Sequence, residues 1–191
     1  MGQRLNLQIE KSGKRLANAY YHWSAYTGSA ASLASEVINY LDDHQDMKDK
    51  KLLAIRALES TGAGFSTYEE GQVQLEKLHS TRVYMNKEFD IQSDRNEGLI
   101  SCYASHMDNT ATWADGSVII DIDTRTIDTT CFNMWTLEEF KEDNPDTDLT
   151  ILSDFGSADI PFDDFFDISE RLVDGECFYN KVEDYVWTCL G

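Results

Sequence analysis

The chain has 191 residues and a formal net charge of −19, from 35 acidic and 16 basic side chains. Hydrophobic residues make up 41% and aromatics 12%, too much apolar side chain for a disordered acidic tail, and no run approaches the ~18 consecutive apolar residues of a membrane helix. The opening MGQRLNLQIEKSG lacks the apolar core of a signal peptide, so a cytoplasmic protein is expected.

Leu5, Leu7 and Ile9 alternate with Asn6, Gln8 and Glu10, the period of a half-buried strand. Lys11-Ser12-Gly13-Lys14 is a turn, and residues 15–26 return as a second strand of a β-hairpin. Gly28-Ser29 interrupts it. Leu33, Val37, Ile38 and Leu41 predict a helix over 30–43, and Leu52, Leu53, Ile55 and Leu58 a second over 48–59. Thr67 and Glu70 form a capping-box pair for a third, over 67–78. Past Gly98, segments 99–107, 110–113, 118–123 and 126–133 read as a meander of short antiparallel strands, with Asp115-Gly116 as one of its turns. Thr136 and Glu139 form another capping box, with Trp135 and Phe140 as a hydrophobic staple. Residues 149–152 predict a strand. Pro161 suits the first turn of a last helix whose apolar stripe is Phe162, Phe165, Phe166, Leu172 and Val173. Residues 177–190 close the chain as a strand or hairpin.

The expected fold is α+β: an antiparallel sheet, three helices in the first half, and short acidic helices in the second. One domain spans 1–191, with residues 1–98 and 99–191 sharing a core. The two halves differ in charge. Residues 1–99 carry 14 acids and 12 bases, a balance of −2; residues 100–191 carry 21 acids and 4 bases, a balance of −17. From 136 to 170 there are 12 acids and one base, Lys141. Such a field attracts cations and basic partners and repels nucleic acid.

The four cysteines, Cys102, Cys131, Cys177 and Cys189, include no CxxC pair, so reduced thiols are expected and no metal or cofactor is implied. Asp90 to Asn96 spaces oxygens as a calcium loop does. Arg95 stands where that turn needs Gly, however, and a solvated loop is expected. The chain lacks GxxxxGK[ST], GxGxxG and GxSxG. Asp121-Ile122-Asp123-Thr124 follows a predicted strand, and its paired aspartates resemble those of the nucleophile motif of haloacid-dehalogenase phosphatases. The run that follows reads as another strand, where that family has a helical unit, so a hairpin with acids on its wet face is preferred.

On the last helix Asp163, Asp167, Glu170 and Asp174 recur at i, i+4, i+7 and i+11. Each turn rises about 5.4 Å, the order of spacing between phosphates along a nucleic-acid strand. With Glu138, Glu139, Glu142, Asp143, Asp146 and Asp148 they form a candidate partner-binding array. Two other readings compete: a polar helix face that serves solubility alone, and a docking peptide whose phenylalanines, Phe165 included, are exposed.

In size, acidity and absence of catalytic motifs, and in the opening Tyr20-Tyr21-His22-Trp23-Ser24-Ala25-Tyr26-Thr27-Gly28, the chain resembles small phage or mobile-element proteins that disarm bacterial defences, anti-CRISPR and anti-restriction proteins among them. The resemblance implies occupation of a target's nucleic-acid groove by mimicry. The expected function is therefore a non-catalytic inhibitor of a basic nucleic-acid-binding protein, such as a CRISPR or restriction nuclease. No direct binding of nucleic acid or membrane is expected, and an exposed aromatic face would favour a homodimer. The alternatives are a metal-dependent hydrolase using Asp121 and Asp123, and a viral structural or assembly protein.

Overall fold

The computed structural model describes residues 3–65, 98–132 and 135–190. The chain opens with the expected hairpin, β1 (Leu5–Lys11) and β2 (Lys14–Tyr21). Ser12 and Gly13 have φ of 50° and 70°, the paired positive values of a two-residue turn whose twist matches its strands. Leu5, Leu7, Ile9, Ala17, Ala19 and Tyr21 are fully buried on one face. β1 pairs antiparallel with β2 on one side and parallel with β4 (Gly116–Asp121) on the other. As an inner strand it is covered on both faces, so Asn6 and Gln8 are also buried. Asn18 answers part of that polar demand, donating through Nδ2 to Asn6 Oδ1 and, at 3.0 Å, to Thr110 Oγ1.

With β3 (Leu99–Ser101), β5 (Thr126–Thr129) and β8 (Ile160–Pro161) these strands form a six-stranded sheet of order β3-β2-β1-β4-β5-β8. The apolar face carries α1 (Thr27–Asp43) and α2 (Lys50–Ser60). Asp49 caps α2, its carboxylate accepting from the backbone N–H groups of Lys51 and Leu52 at 3.1 Å each. A second sheet of order β6-β10-β9-β7 is built from β6 (Trp135–Thr136), β7 (Thr150–Leu152), β9 (Phe178–Asn180) and β10 (Tyr185–Trp187). The remaining helices among the described residues are α3 (Ala104–Ala111), α4 (Leu137–Asp143) and α5 (Phe162–Val173). α5 packs on α1, β5 and β8. Among the described residues no helix is long and apolar enough to cross a membrane.

The class is α+β, but three expectations are corrected. Neither sheet is purely antiparallel: β1 pairs parallel with β4, and β7 with β9. Segments 99–107 and 110–113 are not strands of a meander, because α3 replaces most of them. Its inward positions, Met107 and Thr110, stand at helical rather than alternating spacing, with Met107 buried and Thr110 beneath Asn18. Asp115-Gly116 therefore joins a helix to a strand, with the Asp115 carboxylate held by Arg4 at 3.0 Å. The expected helix over 67–78 and the acidic loop of 90–96 lie outside the described residues.

One buried cluster draws on both halves of the chain, from Leu5 and Ile38 to Phe162, Phe178 and Trp187. A satellite of Phe140, Cys177 and Val186 lies under α4, with Trp135 and Leu137 packed against it, so the staple is formed. Cys102, Cys131 and Cys177 are buried, and Cys189 is half-buried. Burial pushes the Cys102 and Cys131 thiols up to about 12, away from the thiolate that a nucleophile needs.

Gly116 is required by close packing. A Cβ there would lie 2.6 Å from Cys131 Sγ and 3.3 Å from Ala25 Cβ. Gly116→Ala is expected to cost about 1–3 kcal/mol in urea unfolding. Combined with Cys131→Ala, the total should fall well short of the sum of the two single changes. Strict additivity would show that the sulfur is not the obstacle.

Candidate interaction surface

The ten acids of the predicted array are all exposed. α4 is positioned by Thr136, whose hydroxyl accepts from Glu139 N while Glu139 accepts from Thr136 N at 3.0 Å, the full capping box. Glu138 and Glu139 occupy its first turn and Asp163 that of α5, where the helix dipole favours anions. Glu142 and Asp143 end α4, and Asp146 and Asp148 follow in the turn to β7. On α5, Phe162, Phe165, Ile168, Ser169 and Leu172 point inward, and Asp163, Asp167 and Glu170 occupy the opposite face, with Asp174 at its C-cap. Phe165 is fully buried, which overturns the docking-peptide reading.

Arg171 ties α5 to the segment that follows it and to β7. Its guanidinium meets Asp167 at 3.1 Å and Glu176 through both Nε and Nη2, and lies 4.7 Å over the Phe178 ring. Thr150 Oγ1 donates to the same Glu176 carboxylate. α5 is thereby tied to the start of β7, the strand that follows Asp146 and Asp148.

The basic residues of this half are mostly turned to internal work. Arg125 forms a two-pronged pair with Asp42 and lies 4.9 Å over Phe162. Lys141 donates to the carbonyl of Thr147. Of the ten array acids, only Asp167 has an ion-pair partner among the described residues, and Glu139 is held by its cap. Lys181 is exposed. The outward charge is accordingly close to single-signed.

The Arg171 guanidinium and the Thr150 hydroxyl hold the Glu176 carboxyl down to about 2, against an ordinary 4.5. A carboxyl depressed on folding stabilises the fold above its unfolded value and loses that contribution as pH falls toward the folded value. The window is about pH 4.5 to about pH 2. The melting-temperature gap between wild type and Glu176→Gln should be constant above about pH 5 and close as pH approaches about 2. A gap unchanged across that window would remove Glu176 as the linkage group.

Asp121 and Asp123 lie together where the β4–β5 turn meets the first hairpin. Asp121 accepts from Asp123 N at 2.8 Å, Thr124 N at 3.2 Å and Gly13 N at 3.4 Å. Desolvation works to raise its carboxyl, but these N–H groups, with Ser12 N, outweigh it and hold the carboxyl below the ordinary value. Asp123 accepts from Ser12 Oγ and lies 3.6 Å from Lys11 Nζ. Both carboxylates pin one turn to the other. Among the described residues no group of three or more His, Cys, Asp or Glu is placed to hold a metal ion.

Two surface features escaped the sequence reading. Trp23, Tyr26 and Trp113 are 55%, 48% and 64% exposed, at the end of the sheet where β1 and β4 begin. The other is a trench between α1 and α5. Gly28, Ser32, Ser35 and Asn39 recur at helical spacing in the sequence, and that run of small side chains was the available signal.

No protein family, curated protein or solved structure matches this chain.

Proposed function

We propose that this protein is a non-catalytic inhibitor that binds a basic, nucleic-acid-binding protein, such as a defence nuclease, through the anionic surface of α4, the turn after it and α5. The observation that carries this reading is the division of labour between charges. Arg125, Lys141 and Arg171 are spent on internal contacts, while the ten array acids are exposed on two helices and the turn between α4 and β7. Ordinary surfaces intersperse both signs. Asp143 and Asp174 also stand at helix C-termini, where the dipole disfavours acids, so local helix stability does not account for them. A fixed anionic pattern competes with phosphates for a groove lined by Lys and Arg, and its affinity falls as salt screens it.

The test is competition. The protein is immobilised, a bacterial lysate is passed over it at about 50 mM salt, where the screening length exceeds 10 Å, and bound proteins are eluted with duplex DNA. Elution of a basic nucleic-acid-binding protein, whose purified form then binds either DNA or this protein but not both, is the expected result. A partner that binds both together, or that DNA fails to displace, would refute the mimicry.

A further inference from the structure

A pocket of about 250 Å³ opens where α1 ends, α2 begins, the β4–β5 turn crosses and α5 starts. Leu41, Leu53 and Phe162 lie at its base and are buried, with Ile122 half-buried beside them. In open sheets whose parallel strands are covered by helices, ligands bind in the crevice beyond the carboxyl ends of those strands. β1 and β4 are parallel neighbours and both end here. The N–H of Ile122, just past β4, still donates to the carbonyl of Glu10 on β1 at 3.0 Å.

The hydrogen-bonding groups around this apolar base are unequally spent. Each oxygen of the two carboxylates already meets a donor or a cation. Asp42 accepts from both Nη groups of Arg125 and, at 3.3 Å, from Gln45 Nε2. Asp123 accepts from Ser12 Oγ and lies 3.6 Å from Lys11 Nζ. Donors remain. Lys50 gives one N–H to the carbonyl of Gln45 at 2.9 Å and keeps the others, and Arg125 keeps its Nε–H. The pocket therefore suits an acceptor. Charge narrows the choice. Arg125 is matched by Asp42 and Lys11 by Asp123, whereas the partner of Lys50 is a neutral carbonyl. Asp163, in the first turn of α5, adds its field at Arg125. One negative charge is thus answered by Lys50, while a doubly charged phosphate or a nucleic-acid strand would also meet Asp42, Asp123 and Asp163.

We propose that this pocket binds a small organic monocarboxylate, its anionic end on Lys50 and the Nε of Arg125 and its apolar body on Leu41, Leu53, Ile122 and Phe162. The volume lies just below the ~300–1,000 Å³ of pockets for drug-sized ligands, so the body is a short branched chain or a single ring. The site goes beyond the anionic-surface reading and does not depend on it.

Phenylacetate and 4-methylpentanoate are the probes, titrated into nitrogen-15-labelled protein, with phenylacetamide as the neutral control. Saturable shifts of the backbone N–H signals of Gln45, Lys50, Ile122 and Asp123 are expected, with a Kd of about 1 mM or below for at least one carboxylate. Phenylacetamide should bind about tenfold more weakly than phenylacetate, because it lacks the charge-assisted hydrogen bond. Lys50→Gln should weaken phenylacetate about tenfold and leave phenylacetamide unchanged, a difference that a general loosening of the fold does not produce. Gln45→Trp, at an exposed position on the rim, should fill the pocket and abolish both. No saturable shift with either carboxylate up to about 20 mM, or shifts confined to residues away from the pocket, would overturn the site. Retained binding in Gln45→Trp would do the same. Equal affinity for phenylacetate and phenylacetamide in the wild type, or wild-type affinity for phenylacetate in Lys50→Gln, would overturn the choice of an anion.

Discussion

Replacing Trp187 with alanine is expected to lower the stability of the fold by about 3–5 kcal/mol, the usual loss for a large aromatic removed from a core. Trp187 lies on β10 of the smaller sheet and is fully buried. Its ring stands edge-on to Phe132 at 5.4 Å, and Phe132 stacks on Phe165 of α5 at 6.0 Å. The indole thus joins the second sheet to the core built on the first, and alanine leaves a cavity bounded by rigid rings rather than by side chains that can close over it. Against a total stability of about 5–15 kcal/mol, the melting temperature should fall by about 10 °C or more. Trp187→Phe, which refills most of the space, should recover more than half. Far-ultraviolet circular dichroism in urea is the suitable readout, because Trp23, Trp113 and Trp135 dominate the remaining fluorescence. A loss below about 1 kcal/mol would mean that the smaller sheet folds independently of this contact.

The second large effect is on binding. Reversal of Asp163, Asp167 and Glu170 to lysine changes the net charge from −19 to −13 and is expected to weaken the basic partner about a hundredfold or more, since close interfacial charge pairs couple by several kcal/mol. All three side chains are exposed on the face opposite Phe162, Phe165 and Leu172, so the core is untouched. The fold should register two small changes. Lysine in the first turn of α5 gives up a favourable dipole interaction of about 0.3–1 kcal/mol. Lysine at position 167 faces Arg171, which stays engaged by Glu176. A matching triple change to Asn, Asn and Gln should weaken binding by an intermediate amount, because it removes attraction without adding repulsion. Unaltered affinity in the lysine variant, with an unaltered melting curve, would place the contact elsewhere on the molecule.

Local periodicity made much of the architecture readable. Leu5, Leu7 and Ile9 announced β1, and Leu33, Val37, Ile38 and Leu41 announced α1, because burial on one side of an element repeats with the period of that element. The capping box of Thr136 and Glu139 and the inward phenylalanines of α5 were equally legible, each being a pattern closed within a few residues. The error at α3 came from the same source. Within 99–113, short apolar and β-favouring residues satisfied an alternating pattern, while the helical spacing of Met107 and Thr110 prevailed through contact with β2, a strand more than 80 residues earlier.

By itself the sequence determined the element types over most of the described chain, the charge division between its halves, and the side of α5 on which acids stand. Each of these depends on composition or on neighbours within one or two turns. Only the tertiary structure decided that β4 runs parallel to β1, that Arg125 pairs with Asp42 and Arg171 with Glu176, and that α1 and α5 leave a trench beside Ser35 and Ser169, residues 134 positions apart. These depend on which distant segments come to lie side by side, a choice made by the burial of all apolar faces together. That choice engaged most of the basic residues of the acidic half in contacts within the molecule and left the carboxylates of the array to solvent.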